Sequence, residues 1–166
     1  MTERGKRRAL VLGVGNILMM DEGLGVRAVE LFRKKYGLPA DVACVDGGTA
    51  GVALLSCIKE FTHIVIIDAV SSGAPPATIR RFRGAEIEGA PPPRTTAHQL
   101  GVRELIAIAR FEGASPDIVL IGVVPENVSP GIGLSASVEA VLPKAAEMIK
   151  DELTGLGFKV RDKEDA

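Results

Sequence analysis

The sequence predicts an α/β fold in which helices cover both faces of a mostly parallel sheet. Short apolar runs of strand length alternate with segments of helical periodicity along most of the chain. One of these runs, residues 63–67, is apolar on both faces, as is typical of a strand at the centre of a parallel sheet. The connections between successive runs are long enough to hold a crossover helix, which favours parallel pairing.

The predicted elements follow the order β-α-β-α-β-β-α-β-α. Five runs are predicted to be strands: residues 9–14, 42–45, 63–67, 77–83 and 118–124. Four segments are predicted to be helices: residues 23–36, 51–60, 96–111 and a last helix beginning near residue 135. Charged residues alternate through 77–83, which indicates an edge strand. Thr96 and Gln99 have the spacing of a capping box at the start of the third helix, and Pro143 is expected to kink or divide the last one.

Length and composition predict one catalytic domain over residues 1–166, with the charged ends 1–7 and 160–166 expected to fray. The net charge of -1 gives no electrostatic reason to expect binding to nucleic acid or to an anionic membrane. No apolar stretch has the length of a membrane span, and no apolar region of the signal-peptide type follows the basic N-terminus. Cys44 and Cys57 lack metal-site spacing and are interpreted as buried, reduced thiols. We therefore expect a cytoplasmic protein.

A glycine-rich turn, Gly13-Val14-Gly15-Asn16, follows the first predicted strand. Such a turn before a helix usually indicates a phosphate bound at the helix N-terminus. Here Asp21 and Glu22 stand at the helix start, and two carboxylates repel a phosphate but attract a cation or a proton. The turn therefore indicates a metal site or an acid/base site and argues against a nucleotide site.

Acidic residues also follow other predicted strands. In a doubly wound fold the ligand lies beyond the carboxyl ends of the strands, and Asp46, Asp68 and Glu22 all belong to that edge of the predicted sheet. Each has an ordinary structural alternative: Glu22 suits the first turn of a helix, Asp46 before two glycines suits an Asx-turn, and Asp68 could cap a strand end. Their convergence on one edge favours a functional site.

A histidine could complete this site. His98 lies near the start of the third predicted helix, where the helix dipole favours the neutral, metal-binding imidazole. Glu22, Asp68 and His98 together would suit a borderline divalent ion and leave coordination positions open for water or substrate. His63 lies at the other end of the central strand and is interpreted as structural. The sequence contains no H-E-x-x-H, G-x-S-x-G or paired Cys/His motif of the familiar hydrolases.

With these residues in place, the chain resembles the endopeptidases that mature nickel–iron hydrogenases. The resemblance extends over about residues 8–158 and depends on a series of short motifs in order. These are Gly13-Val14-Gly15-Asn16, Asp21-Glu22-Gly23-Leu24-Gly25, Asp46-Gly47-Gly48-Thr49-Ala50-Gly51, Asp68-Ala69, His98-Gln99-Leu100-Gly101, Gly122-Val123-Val124-Pro125-Glu126 and Gly133-Leu134-Ser135. Each motif alone is weak, whereas the ordered set at these spacings is specific.

The resemblance implies a three-layer α/β/α fold with a twisted, mainly parallel five-stranded sheet. It implies an aspartic-type or metal-dependent endopeptidase that removes a short C-terminal peptide from the nickel-loaded large subunit of a nickel–iron hydrogenase. The family's metal-contacting residues fall on Glu22, Asp68 and His98, and a further acid falls on Asp46. The nickel is expected to arrive with the substrate, the hydrogenase large-subunit precursor, rather than to be held permanently.

Several points stay open at the level of sequence. The catalytic candidates are Asp46, Glu22 and Asp68, and nickel could either polarise the scissile carbonyl or serve only as an anchor while a carboxylate acts as general base. Asp46 is the candidate for that base or for a residue that orients it. Two other classes remain as alternatives: a dinucleotide-dependent oxidoreductase, whose fingerprint would need a glycine where Leu18 stands, and a nickel-binding chaperone that docks without cutting. The sequence leaves the hydrogenase isoenzyme, the cleavage site and the oligomeric state undetermined.

Overall fold

The computed structural model describes residues 6–89 and 101–163 and has the predicted three-layer α/β/α architecture. Its strands and helices in chain order are β1 (Ala9–Val14), α1 (Leu24–Lys35), β2 (Tyr36–Gly37), β3 (Val42–Gly48), α2 (Leu54–Glu60), β4 (His63–Ala69), β5 (Ile79–Arg83), α3 (Ala85–Gly89), α4 (Val102–Phe111), β6 (Asp117–Val123), α5 (Ala136–Gly155) and β7 (Arg161–Asp162). Short 3₁₀ turns precede α1 (Met20–Gly23) and α2 (Gly51–Ala53).

The main sheet has five strands in the order β3-β1-β4-β6-β5. The first four are mutually parallel, and β5 runs antiparallel to β6 at the edge, as its alternating charges predicted. The carboxyl ends of β3, β1, β4 and β6 consequently meet at one edge of the sheet, which we call the carboxyl edge. In this fold class that edge is where ligands bind.

Alternation along the strands gives the sheet two apolar faces. Val11 and Val65 point into a core that includes residues of α1 and α5, among them the fully buried Phe32. Leu12 and Ile66 point the other way, into a core with residues of α2 and α4. Because the central strands are covered on both sides, they need apolar side chains at every position, which explains their continuous apolar runs.

Several elements differ from the predictions in detail. The strands β3 and β4 run further than expected, so Asp46 and Asp68 lie within the last residues of the strands and not after them. The short helix α3 was not predicted. The helix α5 is a single element through Pro143, which is exposed, so the solvent side of the helix can hydrate the carbonyl that lacks its usual N–H partner.

The C-terminal region also departs from expectation. Fraying was predicted from residue 160, but Arg161 and Asp162 form β7, which pairs antiparallel with Tyr36 and Gly37 of β2. The predicted capping box of Thr96 and Gln99 lies outside the described residues and stays a prediction.

Two further expectations concern the environment of the chain. Cys44 and Cys57 are free thiols, and both are partly buried where full burial was predicted. Within residues 6–89 and 101–163, none of the helices combines the length and the apolar composition that crossing a membrane requires.

Candidate active site

The glycine-rich turn after β1 brings the start of α1 very close to the sheet. Gly15 has a φ of 138°, and a Cβ there would lie 1.8 Å from the carbonyl oxygen of Glu22. A Cβ on Gly25 would lie 2.2 Å from the carbonyl oxygen of Ile67 in β4. Only glycine fits at these positions, because any side chain would push α1 away from β1 and β4. The turn thus serves close helix–sheet packing, which sets Glu22 beside the end of β4.

Glu22 lies in the 3₁₀ turn that precedes α1, and only 6% of the residue is exposed. Its backbone N–H donates to the carbonyl oxygen of Met19 over 3.1 Å, which closes the turn. Burial raises the pKa of the Glu22 carboxyl above its ordinary value. This acid is therefore held in place by backbone geometry and is only weakly solvated.

Asp68 is the second acid of the site and the next-to-last residue of β4. It is partly buried, and its Oδ1 accepts a hydrogen bond of 2.8 Å from the N–H of Ala69. Burial raises the pKa of Asp68 to about 8. The hydrogen bond from the N–H of Ala69 opposes this rise, and the negative charge of Glu22 adds a smaller upward contribution. The carboxyl of Asp68 is therefore protonated at neutral pH as long as no cation lies beside it.

Glu22 and Asp68 form a pair of carboxyl groups from two separate elements at the carboxyl edge. Two like charges in a poorly solvated place favour sharing one proton, and the same arrangement favours a cation that could replace that proton. Chemically the pair can ligate a divalent metal through carboxylate oxygens or can exchange a proton with a substrate. The predicted roles of these two residues in catalysis and metal contact stay predictions.

Asp21 has a different role from its neighbour Glu22, and no pattern in the sequence indicates that role. It is fully buried, and its Oδ2 accepts hydrogen bonds of 2.9 Å from the N–H groups of Glu126 and Asn127. The N–H of Ser135 donates to Oδ1, and the hydroxyl of Ser135 donates to Oδ2, each over 2.7 Å. Burial works to raise the pKa of Asp21, but these hydrogen bonds together lower it. Asp21 thus binds the β6–α5 connection to the turn that holds Glu22.

Asp46 lies at the same edge but further along it. It is exposed and belongs to β3, where it pairs in register with Gly13 of β1. The strand β1 therefore stands between Asp46 and β4, the strand that carries Asp68. The structure places Asp46 at the rim of the site, and its role as general base or orienting residue stays a prediction.

His98 lies outside the described residues, so its predicted approach to the two carboxyl groups stays a prediction. In the described part of the chain, no group of three or more histidine, cysteine, aspartate or glutamate side chains is arranged to hold a metal ion. The described residues supply two of the three predicted ligands.

Comparison with known proteins identifies the family of this chain. The family model for hydrogenase maturation protease matches residues 26–152. The hydrogenase 2 maturation protease of Escherichia coli is 40% identical over 159 residues, which cover 95% of this chain and 97% of that protein. The hydrogenase expression/formation protein HupD of Rhizobium leguminosarum is 38% identical, with 92% of this chain and 77% of that protein covered.

Solved structures give the same result. The hydrogenase maturating endopeptidase HybD from Escherichia coli superposes with a TM-score of 0.88 at 40% identity, covering 96% of this chain and 99% of that one. A hydrogenase 2 maturation peptidase from a thaumarchaeon has a TM-score of 0.68 at 30% identity, covering 92% and 100%. These matches extend over most of the chain, and this chain therefore belongs to the hydrogenase maturation protease family.

Proposed function

We propose that this protein is an endopeptidase that removes a short C-terminal peptide from the nickel-loaded large-subunit precursor of a nickel–iron hydrogenase. The observation that carries the proposal is the convergence of Glu22 and Asp68 at the carboxyl edge, in a chain of this family. We expect the reaction to take place in the cytoplasm, where the precursor would be assembled.

The donor set fits the substrate's metal. Two carboxylates from Glu22 and Asp68, joined by the imidazole of His98, would offer oxygen and nitrogen ligands to a borderline divalent ion and would neutralise its charge. Such a set leaves coordination positions for the ligands that nickel already has in the precursor. In this proposal the three side chains recognise the loaded metal centre, and the C-terminal tail then lies across the strand ends.

Hydrolysis of the tail can follow two routes. In one, the substrate's nickel polarises the scissile carbonyl, and a water molecule attacks it. In the other, nickel is an anchor only, and a carboxylate takes a proton from the attacking water. Asp46 is the candidate for this base, because it is exposed at the same edge and can reach a substrate that lies over β1.

Cleavage assays with nickel-loaded and nickel-free precursor test the proposal, with mass spectrometry as the readout. A loss of mass equal to a short C-terminal peptide identifies a protease, whereas binding without a mass change would identify a chaperone. We expect Glu22→Gln, Asp68→Asn and His98→Ala each to lose most of the activity. Efficient cleavage of the nickel-free precursor would refute metal recognition, and full activity of His98→Ala would remove that residue from the ligand set.

The same cleavage assay distinguishes the two proposed roles of Asp46, general base and orienting residue. If Asp46 is the base, Asp46→Asn lowers kcat by roughly 100-fold or more while the precursor still binds. If Asp46 only orients another group, the loss is smaller. Wild-type activity of Asp46→Asn would show that neither role is correct.

A further inference from the structure

Exposed apolar side chains are concentrated at the carboxyl edge. The described residues expose five large apolar side chains, and four of them lie on the connections at this edge: Ile17, Leu18, Val52 and Ile132. The fifth, Phe111, ends α4 and leads towards the amino end of β6, on the opposite edge. Leu18 is 60% exposed and Ile132 is 79% exposed. Such clustering of apolar groups on a surface marks an interaction site.

These side chains stand on a backbone that is held firmly in place. The carbonyl oxygen of Leu18 accepts a hydrogen bond of 2.9 Å from the N–H of Gly131, and the N–H of Met20 donates to the carbonyl oxygen of Gly131 over 3.0 Å. The N–H of Leu18 also donates to Oδ1 of Asn16 over 3.0 Å. Backbone hydrogen bonds therefore join the two connections that carry the exposed side chains of Leu18 and Ile132.

Two further features fix the same region. Met20 adopts a φ of 45°, which is unfavourable for a residue with a side chain and persists only where the surroundings enforce it. Asp21, the next residue, binds the β6–α5 connection at Glu126, Asn127 and Ser135. The apolar surface thus comes preformed, which lowers the entropy cost of docking a partner.

We propose that Ile17, Leu18 and Ile132 form a docking surface for an apolar segment of the hydrogenase large-subunit precursor. This inference rests on the proposed function, which requires a protein substrate to place its tail at Glu22 and Asp68. The surface is continuous with that site, because Leu18 precedes Glu22 by one short turn. Its apolar character selects an apolar segment, and its separation from the carboxyl pair allows docking and cleavage to be altered independently.

The test is a comparison of steady-state cleavage of the nickel-loaded precursor by three proteins. These are the wild type, the double variant Leu18→Ser/Ile132→Ser, and the control Phe111→Ser, which removes an even more exposed apolar side chain from the opposite edge. We expect the double variant to have a KM roughly 20-fold higher than the wild type and a kcat within about twofold of it. The expected rise in KM reflects the apolar area that the two side chains no longer bury on docking. Phe111→Ser should keep the wild-type KM. A second double variant, Leu18→Met/Ile132→Leu, keeps the apolar area and should restore a KM close to that of the wild type.

The possible outcomes separate this inference from the proposed function. If the wild type cleaves the precursor and the double variant has the same KM, the docking surface is refuted while the proposed function stands. An equal rise of KM in Phe111→Ser would also refute it, since the effect would not belong to the carboxyl edge. If the double variant changes the oligomeric state in sedimentation velocity at unchanged KM, the surface binds a second copy of this chain and the proposal is wrong. No cleavage by the wild type would overturn the proposed function itself.

Discussion

Replacing Asp68 with asparagine is expected to stabilise the protein at pH 8 and to abolish cleavage. Asparagine has the same shape and its amide oxygen can still accept the hydrogen bond from the N–H of Ala69. It removes a carboxyl group that the fold holds in its protonated form, next to the negative charge of Glu22. The change therefore relieves an electrostatic cost of folding and removes a group that the reaction needs.

The magnitude follows from the pKa in the folded and unfolded states. The pKa of Asp68 is about 8 in the folded protein against an ordinary value of 3.8. Between these values the unfolded chain has released a proton that the folded protein retains, so stability falls as the pH rises from about 4 to about 8. The full shift corresponds to roughly 6 kcal/mol, and because water reaches this partly buried group we expect about 2 kcal/mol to be observed.

Urea denaturation at pH 4 and pH 8 measures this effect. We expect Asp68→Asn to match the wild type at pH 4 and to exceed it at pH 8 by about 2 kcal/mol, or roughly 4–8 °C in Tm. Asp46→Asn is the matched control, since it makes the same chemical change at an exposed position of the same edge and should alter stability by less than about 0.5 kcal/mol at both pH values.

Two results would refute the reasoning. If Asp68→Asn is less stable than the wild type at pH 8, the carboxylate of Asp68 is a stabilising group and not one disfavoured by burial. If the difference in stability is the same at pH 4 and pH 8, Asp68 does not titrate between them. Retained cleavage activity would leave the stability argument intact but would remove Asp68 from the catalytic candidates.

Three further predictions concern the frame around the site. In Asp21→Asn the side-chain NH₂ group must face a buried N–H donor, so we expect the free energy of unfolding, measured by urea denaturation, to fall by about 2–3 kcal/mol. A fall of less than about 0.5 kcal/mol would show that Asp21 does not hold the β6–α5 connection in place. Gly15→Ala brings a Cβ against the backbone of Glu22 and should cost more than about 2 kcal/mol together with most of the cleavage activity. Gly51→Ala, at a φ of 56° with open space around it, should cost only about 1 kcal/mol, and equal losses in both variants would count against a steric cause. Glu152→Gln weakens a buried ion pair with two arginines of β5 and should lower stability by about 1–2 kcal/mol without changing kcat/KM for the precursor.

The sequence was sufficient to predict the sheet and the edge of the sheet at which Glu22 and Asp68 lie. Continuous apolar runs identify β1, β4 and β6 because strands covered on both faces need apolar side chains everywhere, and the alternating charges of 79–83 identify an edge. Once the strands are parallel, their carboxyl ends share one edge, so topology places Glu22 and Asp68 at the same edge, and the close packing at Gly15 and Gly25 then brings them together. Strand ends were less predictable, because β3 and β4 continue past their apolar runs by backbone pairing that no side chain signals.

Asp21 and Glu22 show where such reasoning stops. The two acids are adjacent in sequence, and nothing local distinguishes them. Asp21 is nevertheless buried and accepts four hydrogen bonds, whereas Glu22 lies beside Asp68. The difference depends on Ser135 and Asn127, which lie more than a hundred residues further along the chain and whose backbone N–H groups every sequence would possess. A partner that is a backbone group leaves no compositional trace, so this division of roles could only be read from the folded chain.

The same limit applies to the glycine-rich turn, whose unsuitability for phosphate stays a prediction. The distances show that its glycines allow close contact: the backbone of Glu22 occupies the space where a Cβ of Gly15 would be, and the backbone of Ile67 does the same at Gly25. Close approach of backbone to backbone is what permits two carboxyl groups on separate elements to share one poorly solvated place. The charge of the pair then follows from the packing, because moving α1 outward would let water between Glu22 and Asp68 and return the pKa of Asp68 towards its ordinary value.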